Sequence, residues 1–257
     1  ARAVKPFRVS HSPGMIHRLQ SILPFRLTRA QERVIDEIVR DLTSPHPMNR
    51  LIQGDVGSGK TVVALHAVAV ACASGLQAAL MAPTELLAEQ HYLNVAPLCA
   101  RLGLQAVLLS GKERGTGKRE LVARIAEGTA QVIVGTHALL QHKVRFAKLG
   151  LAVIDEQHKF GVLQRKMLVD KGYQPDVLIM TATPIPRTLA MTVYGDLDVS
   201  VIDALPPGRK PVQTVAFAAS QRRKGYQLVV DELRAGNGVS PVAAGGIRRV
   251  SGGADPR

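Results

Sequence analysis

Between Thr28 and about residue 203 the spacing of apolar positions switches back and forth between two periods. Apolar residues three and four apart predict helices over Thr28–Leu42, Lys60–Ser74 and Glu85–Leu102, each closed by a glycine or followed nearby by a proline. Short aliphatic and β-branched runs between such segments predict strands near Arg50–Gln53, Gln77–Met81, Gln105–Leu109, Gln131–Val134, Leu151–Ile154 and Val177–Met180. Several of these runs are almost wholly apolar, as expected of strands that have helices on both faces and never meet water. The alternation predicts an α/β fold, a mostly parallel sheet flanked by helices on both faces, with ligands gathering at the carboxyl ends of its strands.

The pattern breaks at Leu205-Pro206-Pro207-Gly208 and resumes with a predicted strand, Val212–Phe217, and a helix, Gln221–Arg234. One strand and one helix cannot close a core, so residues 205–235 read as the start of an incomplete second domain. From Gly236 to Arg257 the chain is rich in Gly, Ala, Pro and Arg without periodicity, which predicts a loose tail. Residues 1–24 read as a basic N-terminal segment or linker, leaving 25–204 as the main domain.

Composition narrows the class. With 257 residues and 46% hydrophobic content the chain can bury a large core, and it reads as a soluble globular protein. Its longest apolar stretch, Val62–Ala73, is interrupted by His66 and falls short of the ~20 residues a membrane-spanning helix needs. No apolar segment with a small-residue cleavage site follows the basic N-terminus, so no secretory signal is read. Cys72 and Cys99, both in predicted helices, make a disulfide framework improbable and suit a reducing, cytoplasmic compartment.

Thirty-three Lys and Arg against twenty Asp and Glu give a net charge of +13, which favours a polyanionic partner, nucleic acid first. Six of the basic residues (Arg2, Lys5, Arg8, Arg18, Arg26, Arg29) lie within the first 31 positions, which contain no acid. That stretch is either a polyanion-binding segment or a solvated arm.

Against this background Gly54-Asp55-Val56-Gly57-Ser58-Gly59-Lys60-Thr61 stands out. It fits the phosphate-binding pattern G-x-x-x-x-G-K-[ST] at every position, with a predicted strand before it and an apolar helix after it. Its glycines let backbone N–H groups converge on phosphates, Lys60 neutralises β/γ oxygens, and Thr61 offers a hydroxyl to Mg²⁺. ATP and Mg²⁺ are the implied ligands. About a hundred residues on, Asp155-Glu156-Gln157-His158 follows the apolar run Leu151–Ile154, so both carboxylates emerge at a strand end. Asp155 suits a Mg²⁺ ligand and Glu156 the base that orients the attacking water. His158 is either a linker between nucleotide and nucleic-acid sites or a solvated loop residue.

Further segments carry two readings each. Thr181 and Thr183, in Thr181-Ala-Thr-Pro-Ile-Pro-Arg-Thr188, could hydrogen-bond the acidic loop and couple it to the γ-phosphate, or serve as a helix start. In Phe25-Arg-Leu-Thr28-Arg-Ala-Gln31, about 23 residues ahead of the phosphate loop, Gln31 can read adenine, while Thr28-x-x-Gln31 is also a capping box. Pro83-Thr84, Ser110-Gly111-Lys112 and Gly135-Thr136-His137 stand where helices begin after strands; their N–H groups and hydroxyls can grip a phosphodiester backbone, or simply cap helices.

Taken in order, the blocks LPFRLTRAQ, LIQGDVGSGKT, MAPTELLAEQH, VIVGTHALLQ, VIDEQHKFGVLQR and MTATPIPRTLAMTVYGDLDVSVID resemble superfamily 2 helicases, and within them the RecG family that remodels bacterial replication forks. The likeness runs from about Leu23 to Val215. Transcription-repair coupling helicases share the TATPIPRT block, but DEQH followed by Phe160-Gly161-Val162 looks more like the RecG family; Lys159 stands where Arg is usual. The resemblance implies a RecA-like first motor domain in which Lys60, Thr61, Asp155 and Glu156 serve ATP and Mg²⁺ and Gln31 serves adenine. It also implies DNA contact near Pro83, Thr84, Gly111, Thr136 and His137, on branched or forked duplexes in recombination and repair. It further implies a second RecA-like domain supplying arginines and a wedge domain that grips DNA branches. Neither is found in these residues, so a truncated or frameshifted product, associated with the bacterial nucleoid, is the expectation. The competing readings are a catalytically silent nucleic-acid-binding fragment of such a helicase and, lower, a small-molecule P-loop kinase.

Overall fold

The structure is a computed structural model of the whole chain, and it describes residues 4–111, 115–155, 167–172, 174–183, 197–204, 213–235, 238–242 and 246–250. Two units separate at Pro206/Pro207.

Unit 1 is built on seven parallel strands: β1 (Asn49–Gly54), β2 (Gln77–Met81), β3 (Ala106–Leu109), β4 (Val132–Gly135), β5 (Leu149–Asp155), β6 (Asp176–Thr181) and β7 (Asp198–Ile202). Their spatial order is β3-β4-β2-β5-β6-β1-β7. All six predicted strands are present. β7 carries no clear sequence signal because it is an edge strand with Asp198 and Val201 turned to solvent.

Successive residues along each strand feed opposite cores, which is why the strands read as continuous apolar runs. Ile52, Leu80, Val134, Val153 and Met180 pack on one face, under helices α1 (Pro13–Ile22), α2 (Arg29–Thr43), α3 (Lys60–Ala73) and α4 (Glu85–Arg101). Leu51, Met81, Ile133, Ile154 and Ile179 pack on the other, with Ile125 of α5 (Gly115–Glu127) and with Leu139 of a short 3₁₀ turn, His137–Leu140. Because all seven strands run parallel, their carboxyl-terminal ends lie along one edge of the sheet, and with them the phosphate loop, Asp155, Thr181 and the segments that follow β2, β3 and β4.

α3 is buried from Val63 to Cys72 and is wedged between α1, α2, α4 and the sheet. Cys72 and Cys99 are both free and buried, and burial pushes each thiol up to about 12. As expected, they form no disulfide.

The N-terminal segment departs from the expected linker. Residues from Val4 onward belong to unit 1, and Leu19 of α1 is fully buried against it. Lys5 is buried too: its Nζ lies 3.0 Å from both carboxylate oxygens of Asp176 and donates to the Leu42 carbonyl at 2.7 Å. A basic residue that composition assigns to solvent or to a polyanion is thus consumed by an internal ion pair, a pairing 171 residues apart that no local pattern announces.

Unit 2 contains β8 (Gln213–Ala216), α6 (Arg222–Arg234), β9 (Gly238–Val242) and β10 (Gly246–Val250). The predicted strand and helix are both there. The stretch after Gly236 also departs from expectation, since β9 and β10 pair antiparallel with each other and β10 with β8. Val239, Val242, Ile247 and Val250 favour extended backbone, but Gly, Ser and Pro between them hide the alternation. Among the described residues no helix is long and apolar enough to cross a membrane.

Candidate nucleotide and nucleic-acid site

The phosphate loop joins the end of β1 to the start of α3. Gly57 and Gly59 sit at φ 79° and 86°, a left-handed conformation that residues with a Cβ adopt only at a cost. Gly59 is doubly constrained: a Cβ there would lie 2.2 Å from Nε2 of Gln31. A Cβ on Gly54 would lie 2.6 Å from Oγ of Ser58. Lys60 donates to the carbonyls of Gly54 at 2.6 Å and Asp55 at 3.0 Å, so its ammonium lies over the loop that its backbone begins. The first-turn N–H groups of α3 open into the same loop, adding the positive end of a helix dipole.

Gln31 holds this loop from beneath. The capping box at α2 is complete: Thr28 Oγ1 accepts from the Gln31 N–H, and Gln31 Oε1 accepts from the Thr28 N–H at 2.8 Å. Its Nε2 then donates to the Ser58 carbonyl at 2.8 Å. Both ends of its amide are thus engaged within the protein, and only 2% of the residue is exposed. The same amide keeps a second N–H and a second oxygen lone pair, so its part in binding adenine stays an expectation. Phe25, by contrast, is half exposed, as is much of the loop at Val56.

Asp155 ends β5, which runs beside β6, and β6 runs beside β1; the register pairs Asp155 with Met180 and Thr181 with Gln53. Thr181 therefore sits between the strand of the phosphate loop and the strand of the acidic motif. Its hydroxyl lies 2.9 Å from that of Thr183 and accepts from the Thr183 N–H. A cleft of about 180 Å³ opens here, lined by Gln53, Gly54, Asp55, Ala182 and the end of β7. Glu156 and His158 lie outside the described residues, as do Lys112 and the part of the Thr-Pro block beyond Thr183.

Asp155 and Thr61 each carry the kind of hard oxygen that Mg²⁺ takes as a ligand. Among the described residues no group of three or more His, Cys, Asp or Glu could hold a metal unaided.

The other half of the same edge carries the segments read as phosphodiester contacts. β3, β4 and β2 are consecutive in the sheet, so Gly111, Thr136-His137 and Pro83-Thr84 emerge side by side. Thr84 caps α4, accepting from the Leu87 N–H, and Glu85 accepts from the Gly111 N–H at 2.9 Å, tying two of the three segments together. Thr84, Gly111 and His137 face solvent. Thr136 does not: it is 1% exposed, and its Oγ1 has no partner among the described residues.

One residue at the site escaped the sequence reading. His91 of α4 donates from Nε2 to Asp155 Oδ2 at 2.7 Å, because an ionised carboxylate can only accept. Its place on the buried stripe of α4, between Ala88 and Val95, marks it as inward-facing but does not announce its partner.

Comparison with known proteins agrees with this geometry. The family model described as DEAD/DEAH box helicase matches residues 28–192. The ATP-dependent DNA helicase RecG of Streptococcus pneumoniae is 58% identical over 217 residues, covering 84% of this chain and 32% of that protein. The protein of the same name from Synechocystis sp. is 53% identical over 225 residues, covering 88% of this chain and 27% of its own length. The chain thus spans about a quarter to a third of the length of these curated relatives. Among solved structures, RecG bound to a three-way DNA junction superposes with a TM-score of 0.80 at 41% identity, over 90% of this chain and 31% of that one. The DUF1998 helicase MrfA, at 16% identity and a TM-score of 0.58, shares the fold.

Proposed function

From a chain that belongs to the DEAD/DEAH box helicase family, we infer the ATP-binding RecA-like motor domain of a RecG-type DNA helicase, one that couples ATP hydrolysis to movement on branched DNA in fork and recombination repair. The observation that carries the reading is a single sheet edge divided in two. β5, β6, β1 and β7 carry the phosphate loop and Asp155, while β3, β4 and β2 carry the exposed segments suited to a phosphodiester backbone.

DEAD/DEAH box helicases generally use ATP with Mg²⁺. Here the N–H groups of Gly57 to Thr61 and the ammonium of Lys60 would receive the phosphates, and Thr61 and Asp155 would hold Mg²⁺, which neutralises charge on the β/γ oxygens when bound. Phe25 offers an apolar face to the base. Gln31 acts on the loop as well as on the adenine. Glu156 orients and deprotonates the attacking water, and Thr181 with Thr183 relays the state of the acidic strand end to the rest of the edge. Pro83, Thr84, Gly111 and His137 contact DNA without reading bases, and Thr136 supports them from within. The family resemblance assigns the transition-state arginines to a second RecA-like domain, and such groups are worth ~10³ to 10⁵ in rate. A polypeptide of these 257 residues should bind nucleotide and DNA. A cytoplasmic setting follows from the same reading.

Filter binding to forked DNA at rising salt, beside an ATPase assay, tests this. The expected result is DNA binding that falls steeply with salt, as counterion release requires, with weak turnover that Lys60→Ala abolishes. Turnover that Lys60→Ala leaves intact, or no DNA binding even at low salt, would overturn it.

A further inference from the structure

Among the described residues, the His91 side chain joins the two halves of the sheet edge. β2 and β5 are neighbours in the sheet, and the boundary between the DNA-facing and nucleotide-facing halves falls between them. α4 follows β2, starts at the Thr84 cap, and holds the loop after β3 through Glu85 and the Gly111 N–H. Its buried residues are Ala88, His91, Val95 and Cys99, a stripe with helical spacing pressed on the sheet. Within that otherwise apolar stripe only His91 is polar, and it reaches across the boundary to Asp155. Seven residues of helix set Thr84 and His91 ~10 Å apart on one face, with little freedom to move independently.

The bond is geometrically strong. Nε2 to Oδ2 is 2.7 Å, and the two side chains are 11% and 12% exposed. Hydrogen bonds to ionised groups are roughly twice as strong as neutral ones, and burial removes competing water. It engages Oδ2 and no described residue engages Oδ1, so the carboxylate is fixed in rotation with one oxygen directed elsewhere.

We propose that His91 is a positioning residue: it orients Asp155 for Mg²⁺ and, as part of α4, makes that orientation depend on whether the Thr84–Gly111 edge is gripping a phosphodiester backbone. This deepens the proposed function and rests on it. Outer partners of metal-binding groups typically change metal affinity 10–100-fold when removed.

The test uses the 257-residue chain and a fluorescent non-hydrolysable ATP analogue, reading the Mg²⁺ concentration at half-maximal binding with and without forked DNA. His91→Leu should raise that midpoint about tenfold. Binding in excess chelator should stay close to wild type. His91→Gln, which keeps a donor of similar reach, should restore it, and His91→Asn, too short to reach Asp155, should not. Should the leucine variant fail to fold, the Gln and Asn pair decides the matter alone. DNA should lower the midpoint in the wild type and in His91→Gln only. Equal midpoints in Gln and Asn variants, beside a raised midpoint in Asp155→Asn, would overturn the role of His91 and leave the Mg²⁺ site standing. If Asp155→Asn and Lys60→Ala both bind the analogue as the wild type does, the nucleotide site itself is misassigned and the proposal falls with it.

Discussion

Gln31 donates its side-chain amide to the carbonyl of Ser58, 27 residues away, at 2.8 Å. The start of α2 and the phosphate loop are therefore one rigid object, and substitutions at either place should be felt at both. Gln31→Glu keeps an acceptor for the capping box but loses the donor to Ser58; Gln31→Ala loses both. The alanine variant should lose about 1 kcal/mol of stability, a fall of roughly 2–4 °C in melting temperature. The glutamate variant sets a buried carboxylate oxygen against the Ser58 carbonyl, so it should melt lower still and bind nucleotide more weakly than the alanine variant. Calorimetric melting and nucleotide titration of the pair separate the two roles, and equal affinities in wild type and Gln31→Glu would remove Gln31 from the site.

Gly59→Ala is expected to be more damaging. The left-handed backbone at φ 86° costs a non-glycine residue about 1–2 kcal/mol, and the added methyl would collide with Gln31 Nε2. Nucleotide affinity should drop at least tenfold while circular dichroism shows the helices intact.

Lys5 and Asp176 test whether the N-terminal segment belongs to the domain. Removing one member of a buried ion pair strands the other, at a cost of roughly 3–5 kcal/mol. Lys5→Met and Asp176→Leu should each destabilise by about that amount, and the double variant by much less than their sum. An additive pair in urea denaturation would show that the two charges do not interact.

His66 should make stability fall on mild acidification. Its Nδ1–H donates to the Val62 carbonyl at 2.8 Å, Nε2 is buried with no described partner, and burial pushes the imidazole below its usual 6.5. The unfolded chain takes up the proton near pH 6.5 and the folded chain does not, so stability present above 6.5 is lost as pH falls below it. Asp176 acts with the opposite sign. Burial raises its carboxyl from 3.8 to about 6, against the pull of the Met48 N–H and Lys5, so the folded chain holds the extra proton between those values. Urea midpoints of wild type and His66→Leu, compared from pH 8 to pH 5, cancel the Asp176 contribution. The difference between them should grow below pH 6.5 in favour of the variant.

Much of the fold could be read from local periodicity, because strands buried on both faces and helices capped by Thr28 and Thr84 leave short-range signatures. The phosphate loop was legible for the same reason: its glycines, lysine and threonine are contiguous. What escaped reading was long-range. Lys5 looked like a surface cation because its partner is 171 residues away. Gln31 was visible as a cap, but its reach to Ser58 depends on how α2 packs on α3. His91 gave no hint of Asp155, 64 residues on, until the sheet order put β2 beside β5. β7 and the strands after Gly236 are short and interrupted, and their pairing is set by neighbours rather than by their own sequence.

The most direct test of the account is calorimetric titration of this chain and of Lys60→Ala with an ATP analogue in the presence of Mg²⁺. Lys60 closes on the carbonyls of Gly54 and Asp55, and the proposed function has its ammonium receive the phosphates. The account predicts saturable one-site binding by the wild-type chain and at least a tenfold loss in Lys60→Ala. Absence of binding by the wild type, or equal affinity in the two proteins, would contradict it.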